Sequence, residues 1–326
     1  MITTTVGNYP KVGEGAYGTK LIGALSAWQR KELSDAQLEG VFQDITRAVI
    51  KEQEAAGLDL LTDGQIRWED LVTSFAKRLE GFEINGLTRW FNNNVYYRRP
   101  ILHKAPGWKR PVLVEEYRFA KSCTRKPVKA VLPGPYTFVQ LCEDQHYGAQ
   151  RPFVMKMAEI LNQEARALDQ AGAPVIQFDE PALGYGKPNL NLAIEALNVA
   201  TRGLKAKTAV YTYFGALDGA LPRLMTAKVT IVGIDAVSQP TKALASLKST
   251  RITKELALGC LDARNTKLES VNDLHALFDA VKKRVPLNRL TVNPNCGLEF
   301  LPHRQAQEKL KRLGQAAREY TKKERS

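Results

Sequence analysis

Cysteine and histidine are scarce, with four of each in 326 residues. Cys123, Cys142, Cys260 and Cys296 show no CxxC spacing, which excludes a disulfide framework and a cysteine-only zinc site. As small apolar side chains most of them are expected in the interior. His103, His146, His275 and His303 are spaced neither as metal ligands nor as members of a triad, so no hydrolase reading follows from them. No run of about 18 apolar residues occurs, and Met1-Ile2-Thr3-Thr4-Thr5-Val6-Gly7 has neither a basic start nor an apolar stretch. A soluble, cytoplasmic protein without membrane contact is expected. No GxGxxG follows any apolar run, which removes the usual signature of a dinucleotide fold.

What is present is ordinary globular composition, 44% hydrophobic and 25% charged, enough for a sizeable core. The length exceeds the usual single core of about 100 to 200 residues and allows two domains or one large α/β barrel, which needs about 250. Lys and Arg number 47 against 34 Asp and Glu, a surplus of +13. Such a balance favours an anionic ligand, an acidic partner or nucleic acid, and bears on association rather than fold.

Apolar residues at helical spacing predict helices through Leu38, Val41, Phe42, Ile45 and Val49, capped by Ser34-Asp35 and ending before Gly57, and through Val154, Met157, Leu161, Ala165 and Leu168, ending at Gly172. Further helices run through Leu274, Leu277, Phe278 and Val281, and through Ala306, Leu310, Leu313 and Ala317, with weaker patterns near 191–204 and 217–226. Between them lie short apolar runs suited to strands buried on both faces: Thr4–Gly7, Leu58–Thr62, Val128–Leu132, Val175–Phe178, Ala209–Tyr213, Ile231–Ile234, Leu256–Gly259 and Leu290–Val292. Strands alternating with helices predict an α/β fold with a parallel sheet, and eight such units predict a (β/α)8 TIM-type barrel over residues 1–326.

The segment 64–127 is too long for a simple crossover and is expected to be an insertion after the second strand, a cover on the face where sites form. Part of it is aromatic and basic, from Trp90-Phe91-Asn92-Asn93-Asn94-Val95-Tyr96-Tyr97-Arg98-Arg99 to Trp108-Lys109-Arg110. Such a stretch stacks bases in an RNA-binding barrel, or forms a packed hairpin with solvated arginines; the second reading is preferred.

The residues just past the strands converge on one pocket in a barrel. Here they are Asn8 and Lys11, Asp63 and Gln65, Gly134 and Pro135, Asp179 and Glu180, Tyr211 and Tyr213, Asp235, Asp262 with Arg264 and Asn265, and Asn293, Asn295 and Cys296. Asp179-Glu180-Pro181 suits an ammonium ligand or general acid and base work, or a carboxylate that caps a helix. Arg264 beside Asp262 suits a fork for carboxylate or phosphate, or a structural ion pair. Cys296 is a thiolate candidate without an adjacent histidine.

Three of these stretches carry a resemblance: Val6-Gly7-Asn8-Tyr9-Pro10-Lys11-Val12, Ile176-Gln177-Phe178-Asp179-Glu180-Pro181-Ala182-Leu183 and Val292-Asn293-Pro294-Asn295-Cys296-Gly297-Leu298. Together they resemble the cobalamin-independent methionine synthase family, whose long members contain two homologous barrels, and the match covers nearly the whole chain as one barrel. In that family's catalytic barrel a zinc ion binds homocysteine as thiolate, and zinc suits the task because it lowers the thiol pKa. The resemblance puts the zinc ligands at Tyr211, Tyr213, Asp235 and Cys296, so two of four are replaced by tyrosine, the zinc site is degenerate and no cofactor is expected. The family's seventh-strand histidine falls near Arg264, and a glutamate near the second strand becomes Gln65.

Thr212-Tyr213-Phe214, Asp262-Ala263-Arg264-Asn265 and Trp90 to Tyr96 are more similar to the family's amino-terminal barrel, which lacks the zinc site and helps hold the folate substrate. The resemblance implies a methionine-synthesis protein that binds homocysteine or methionine and a folate with a polyglutamate tail, and works with a separate zinc-bearing barrel. Asp179 and Arg264 take the catalytic positions, with Asn8, Gln65, Asp179, Glu180, Tyr213 and Asn265 binding substrate. The alternative is a single-chain methyl or alkyl transferase acting on homocysteine or another thiol, with a metal on Asp235 and Cys296.

Overall fold

The structure, a computed structural model, describes residues 1–11, 18–89, 91, 96–217 and 219–325. Val12, Trp90 and the stretch 92–95, part of the motifs above, lie outside them. The strands are β1 (Ile2–Thr3), β2 (Glu80–Arg89), β3 (Tyr96–Gly107), β4 (Ala130–Pro133), β5 (Glu143–Asp144), β6 (Val175–Asp179), β7 (Lys207–Tyr211), β8 (Ile231–Asp235), β9 (Glu255–Leu261) and β10 (Leu290–Pro294). Among the described residues β1, β4, β6, β7, β8, β9 and β10 make a seven-stranded sheet, and its resolved pairs are parallel. The expected α/β class with a parallel sheet is therefore observed. The chain divides into two compact units: the first comprises 1–67, 118–128 and 257–326, the second 68–117 and 129–256.

In the first unit β1 lies beside β10, with Thr3 opposite Val292. The expected second strand is reduced to two parallel bridges, Thr4 with Leu60 and Leu61 with Val128. The helix Asp35–Ala55 begins at a capping box in which the Ser34 hydroxyl accepts from the Gln37 N–H and the Gln37 amide oxygen accepts from the Ser34 N–H. It ends before Gly57, whose φ of +80° only glycine adopts without strain. Its inner face buries Leu38, Ile45, Val49 and Ile50. Gln53 on the same face replaces missing ladder partners of the short second strand: its amide donates to the Thr62 carbonyl at 2.9 Å and accepts from the Thr62 N–H at 3.0 Å.

The second unit carries the ladder β4, β6, β7, β8. Helix Gln150–Gln170 buries Phe153, Val154, Met157, Leu161 and Leu168 and stops at Gly172, φ +90°. Within 64–127, β2 and β3 form an antiparallel hairpin with two register shifts, and β5 adds to β3 in parallel. Tyr97 is buried and donates to the Leu141 carbonyl, and Arg99 pairs with Glu143, so this part of the aromatic and basic stretch is packed structure. Glu164 receives the Trp108 indole N–H and the backbone N–H groups of Val112 and Leu113. Burial still raises its pKa, outweighing these donors.

Helices Gly18–Gln29, Val114–Ser122, Pro135–Gln140 and Pro240–Ser249 were not foreseen from the sequence. No helix among the described residues is long and apolar enough to cross a membrane.

The helix His303–Lys323 buries Leu310, Leu313, Ala317 and Tyr320, and at Gly314 it presses on the end of the Asp35–Ala55 helix. A Cβ on Gly314 would lie 2.0 Å from the Ala56 carbonyl oxygen. The Gly314→Ala variant is therefore expected to lose about 1–3 kcal/mol through overpacking, seen as a lower urea midpoint at unchanged slope.

Candidate functional site

A connected group of buried polar side chains in the second unit stands at the end of β6. Asp179 is buried; its Oδ1 accepts from the Gln177 amide at 2.6 Å and its Oδ2 from the Tyr213 hydroxyl at 3.2 Å. Gln177 in turn accepts from the Lys129 ammonium at 2.6 Å, and that ammonium lies 4.7 Å from the centroid of the Tyr211 ring. Sheet register explains the grouping, because Gln177 lies opposite Val131 of β4 and Asp179 opposite Tyr211 of β7. Burial lowers the Lys129 pKa, with Asp179 opposing the shift. Burial, then the Asp179 charge, push the Tyr211 phenol well above its ordinary value, so it stays protonated. The ring packs flat against the backbone at Gly233, where a Cβ would stand 2.8 Å from Tyr211 Cγ.

Glu180 turns the other way. Its carboxylate accepts from the backbone N–H groups of Tyr136 at 3.0 Å and Thr137 at 2.7 Å, at the start of the helix Pro135–Gln140. A side chain at Gly134 has no room there, since a Cβ would fall 2.1 Å from Glu180 Cδ. The helix-capping alternative thus describes the Glu180 contacts, although the helix capped follows β4 rather than β6. Asp235, at the end of β8, accepts from the N–H groups of Val237 and Ser238 at 2.9 Å each and from the Ser238 hydroxyl at 2.5 Å, an Asx turn.

The first unit holds the other expected residues. Asn8 is half-buried and accepts from the Lys11 ammonium at 3.0 Å. Gln65 is buried with φ +49°, an uncommon conformation for a side-chain residue, and its Nε2 has no hydrogen-bond partner among the described residues. Cys296 is fully buried, with its thiol directed at the Gly297 carbonyl at 3.5 Å. Arg264 and Asn265 are exposed on the turn after β9. That turn is fixed by Asp262, which accepts the Arg264 N–H, and by Asn295, which accepts the Ala263 N–H. Glu299 was not anticipated; its Oε2 is buried without a hydrogen-bond partner among the described residues, and burial raises its pKa to about 7 against the opposing Lys11 charge.

Asp179 and Tyr213 are thus brought into contact, with Glu180 adjacent in the chain but facing another way. Sequence reading missed Lys129 and Gln177. The available signal was a charged and an amide side chain inside otherwise apolar strands.

A zinc ion takes thiolate, imidazole or carboxylate ligands at about 2.0–2.3 Å. The β7 positions offer a phenol held protonated and a second phenol that donates to Asp179. Among the described residues no group of three or more His, Cys, Asp or Glu side chains is placed to hold a metal ion. The donor set at the end of β7 does not fit zinc.

The family model described as "Cobalamin-independent synthase, Catalytic domain" matches residues 1–319. The methionine synthase of Saccharolobus solfataricus is 31% identical over 309 residues, 94% of this chain and 91% of that protein. That of Sulfurisphaera tokodaii is 31% identical over 313 residues, 94% of this chain and 89% of that protein. The fold is similar to that of a B12-independent methionine synthase from a Shewanella species solved in complex with selenomethionine, with a TM-score of 0.83, 24% identity and 98% of each chain covered. A second likeness is to a putative vitamin-B12-independent methionine synthase from Listeria monocytogenes, with a TM-score of 0.77, 16% identity, and 97% of this chain and 96% of that one covered. The chain belongs to the cobalamin-independent methionine synthase family.

Burial raises the Glu180 pKa to about 7, outweighing the Thr137 and Tyr136 donors. A folded-state pKa above the unfolded value means that its stabilising proton linkage is complete below the unfolded pKa, near 4.5, and is lost as pH rises through about 7. Glu180→Gln is expected to flatten the fall in stability across that window, measured by urea unfolding at a series of pH values; an unchanged slope counts against the assignment.

Proposed function

We propose that this chain is a single (β/α)8 barrel over 1–326, with 64–127 inserted after the second strand, that binds substrate in methionine synthesis and works with a separate zinc-bearing barrel. That companion transfers methyl from a methylfolate or similar donor to homocysteine. The observation that carries the reading is the pair Tyr211 and Tyr213 at the end of β7. Family membership supports the pathway, while a protonated phenol and a phenol hydrogen-bonded to Asp179 leave positions 211 and 213 without the ligands that would activate a thiol.

What the chain supplies instead is recognition. A buried carboxylate such as Asp179, held by Gln177 and Tyr213, suits the ammonium of homocysteine or methionine. The selenomethionine bound by the Shewanella relative supports an amino-acid ligand of this type. Exposed Arg264 suits a carboxylate, and the surplus of +13 suits the polyglutamate tail of a folate or an acidic partner. Asn8, Gln65 and Asn265 supply further polar contacts, and Glu180 acts through the helix that it caps. Neither nucleic acid nor membrane is a proposed partner.

Isothermal titration tests the reading. L-Methionine or homocysteine is expected to bind, with a loss of about tenfold or more on Asp179→Asn. Polyglutamated folate is expected to bind more weakly as salt rises. No heat with any of the three ligands, together with no association with a zinc-bearing paralogue, overturns it. Stoichiometric zinc that is lost on Cys296→Ala identifies the single-chain transferase instead.

A further inference from the structure

The residue before β4 is a lysine with 2% of its surface exposed. Lysine is almost never buried to this degree unless it is paired. Here the pairing runs through an amide: Lys129 donates to Gln177 Oε1, and Gln177 Nε2 donates to Asp179 Oδ1, both at 2.6 Å. The orientation of that amide is set by chemistry. An ammonium only donates and an ionised carboxylate only accepts, so Gln177 must turn its oxygen to Lys129 and its nitrogen to Asp179. One positive and one negative charge are thereby joined in an interior where either alone is driven toward its neutral form. The Tyr213 hydroxyl fixes the second oxygen of Asp179, and the Tyr211 ring offers its electron-rich face to the ammonium.

We propose that Lys129 is a positioning residue for Asp179: acting through Gln177, it fixes the direction of that carboxylate, so that the end of β6 accepts a ligand bearing an ammonium group. The ligand half of this inference rests on the function proposed above; the charge coupling between Lys129 and Asp179 does not. The same ammonium is also the cation beside the end of β7, where the resemblance put a metal ligand. A second cation close to it would be repelled in a medium of low dielectric constant.

Two measurements decide the matter. The first is urea unfolding of the wild type, Lys129→Met, Asp179→Asn and the double variant. Removing one charge strands the other, so the double variant is expected to be at least as stable as the weaker single variant. Losses that simply add overturn the coupling. The second is calorimetric titration with L-methionine and with 4-(methylthio)butanoate, the same molecule without its amine. The wild type is expected to prefer the amine by about tenfold or more, and both single variants to bring that preference close to unity while still binding the analogue. A merely structural lysine would weaken both ligands alike, and a Lys129→Met variant that keeps the preference overturns the positioning role. Should the wild type bind neither ligand, the functional reading fails, and the unfolding cycle alone decides whether Lys129 is coupled to Asp179.

Discussion

A charge removed from water has to be met by groups of the protein, and this requirement ties together the strand ends of the second unit. Lys129, Gln177, Asp179 and Tyr213 form one continuous thread from the residue before β4, along β6, to the loop after β7. Its geometry holds only if Gln177 lies opposite Val131 and Asp179 opposite Tyr211. A shift of one residue between β4 and β6 would turn Gln177 away from the lysine, and one between β6 and β7 would take the Tyr213 hydroxyl from Asp179. The thread therefore specifies register, a task that Val, Ile and Leu in neighbouring positions perform less selectively. Glu164 does comparable work elsewhere in the unit, where a helix carboxylate gathers three N–H donors from the segment that follows β3.

Much of the fold was legible because periodicity reports burial. Leu38 to Val49 and Val154 to Leu168 mark helices whose inner faces are buried, and the glycines that follow them adopt the positive φ that a helix stop requires. The short helix Pro135–Gln140 was not legible, because its N-terminal N–H groups are satisfied by Glu180, far along the chain. The second strand was read as five residues but survives as bridges, since Gln53 on a neighbouring helix takes over hydrogen bonds that a ladder would have made. Neither long-range substitution has a local signature.

The candidate site divides in the same way. That Asp179 and Tyr213 stand at strand ends follows from spacing alone, and the structure adds that they touch. That Glu180 faces a helix while Asp179 faces the thread does not follow from two adjacent acids in a sequence. Alternation along an extended chain sends neighbours to opposite sides, so the acid pair was never one chemical unit. The charge surplus resists a simple reading for a different reason. Many cations sit in exposed pairs such as Lys20 with Asp44 and Arg30 with Glu32, which contribute little and screen readily. A net surplus spread over a solvated surface tunes association, while a buried lysine such as Lys129 is invisible in the total.

The tyrosines at the end of β7 and the lysine beside Tyr211 form one consistent arrangement. A metal site concentrates positive charge and needs ligands that surrender protons. Tyr211 is buried next to a carboxylate, the environment that most strongly keeps a phenol protonated, and its ring shields an ammonium instead. A dication brought to the end of β7 would therefore meet the Lys129 ammonium beside the Tyr211 ring. The interior positive charge of this unit is thus supplied by a side chain, and the two phenols, the amide and the carboxylate around it are arranged to hold that charge.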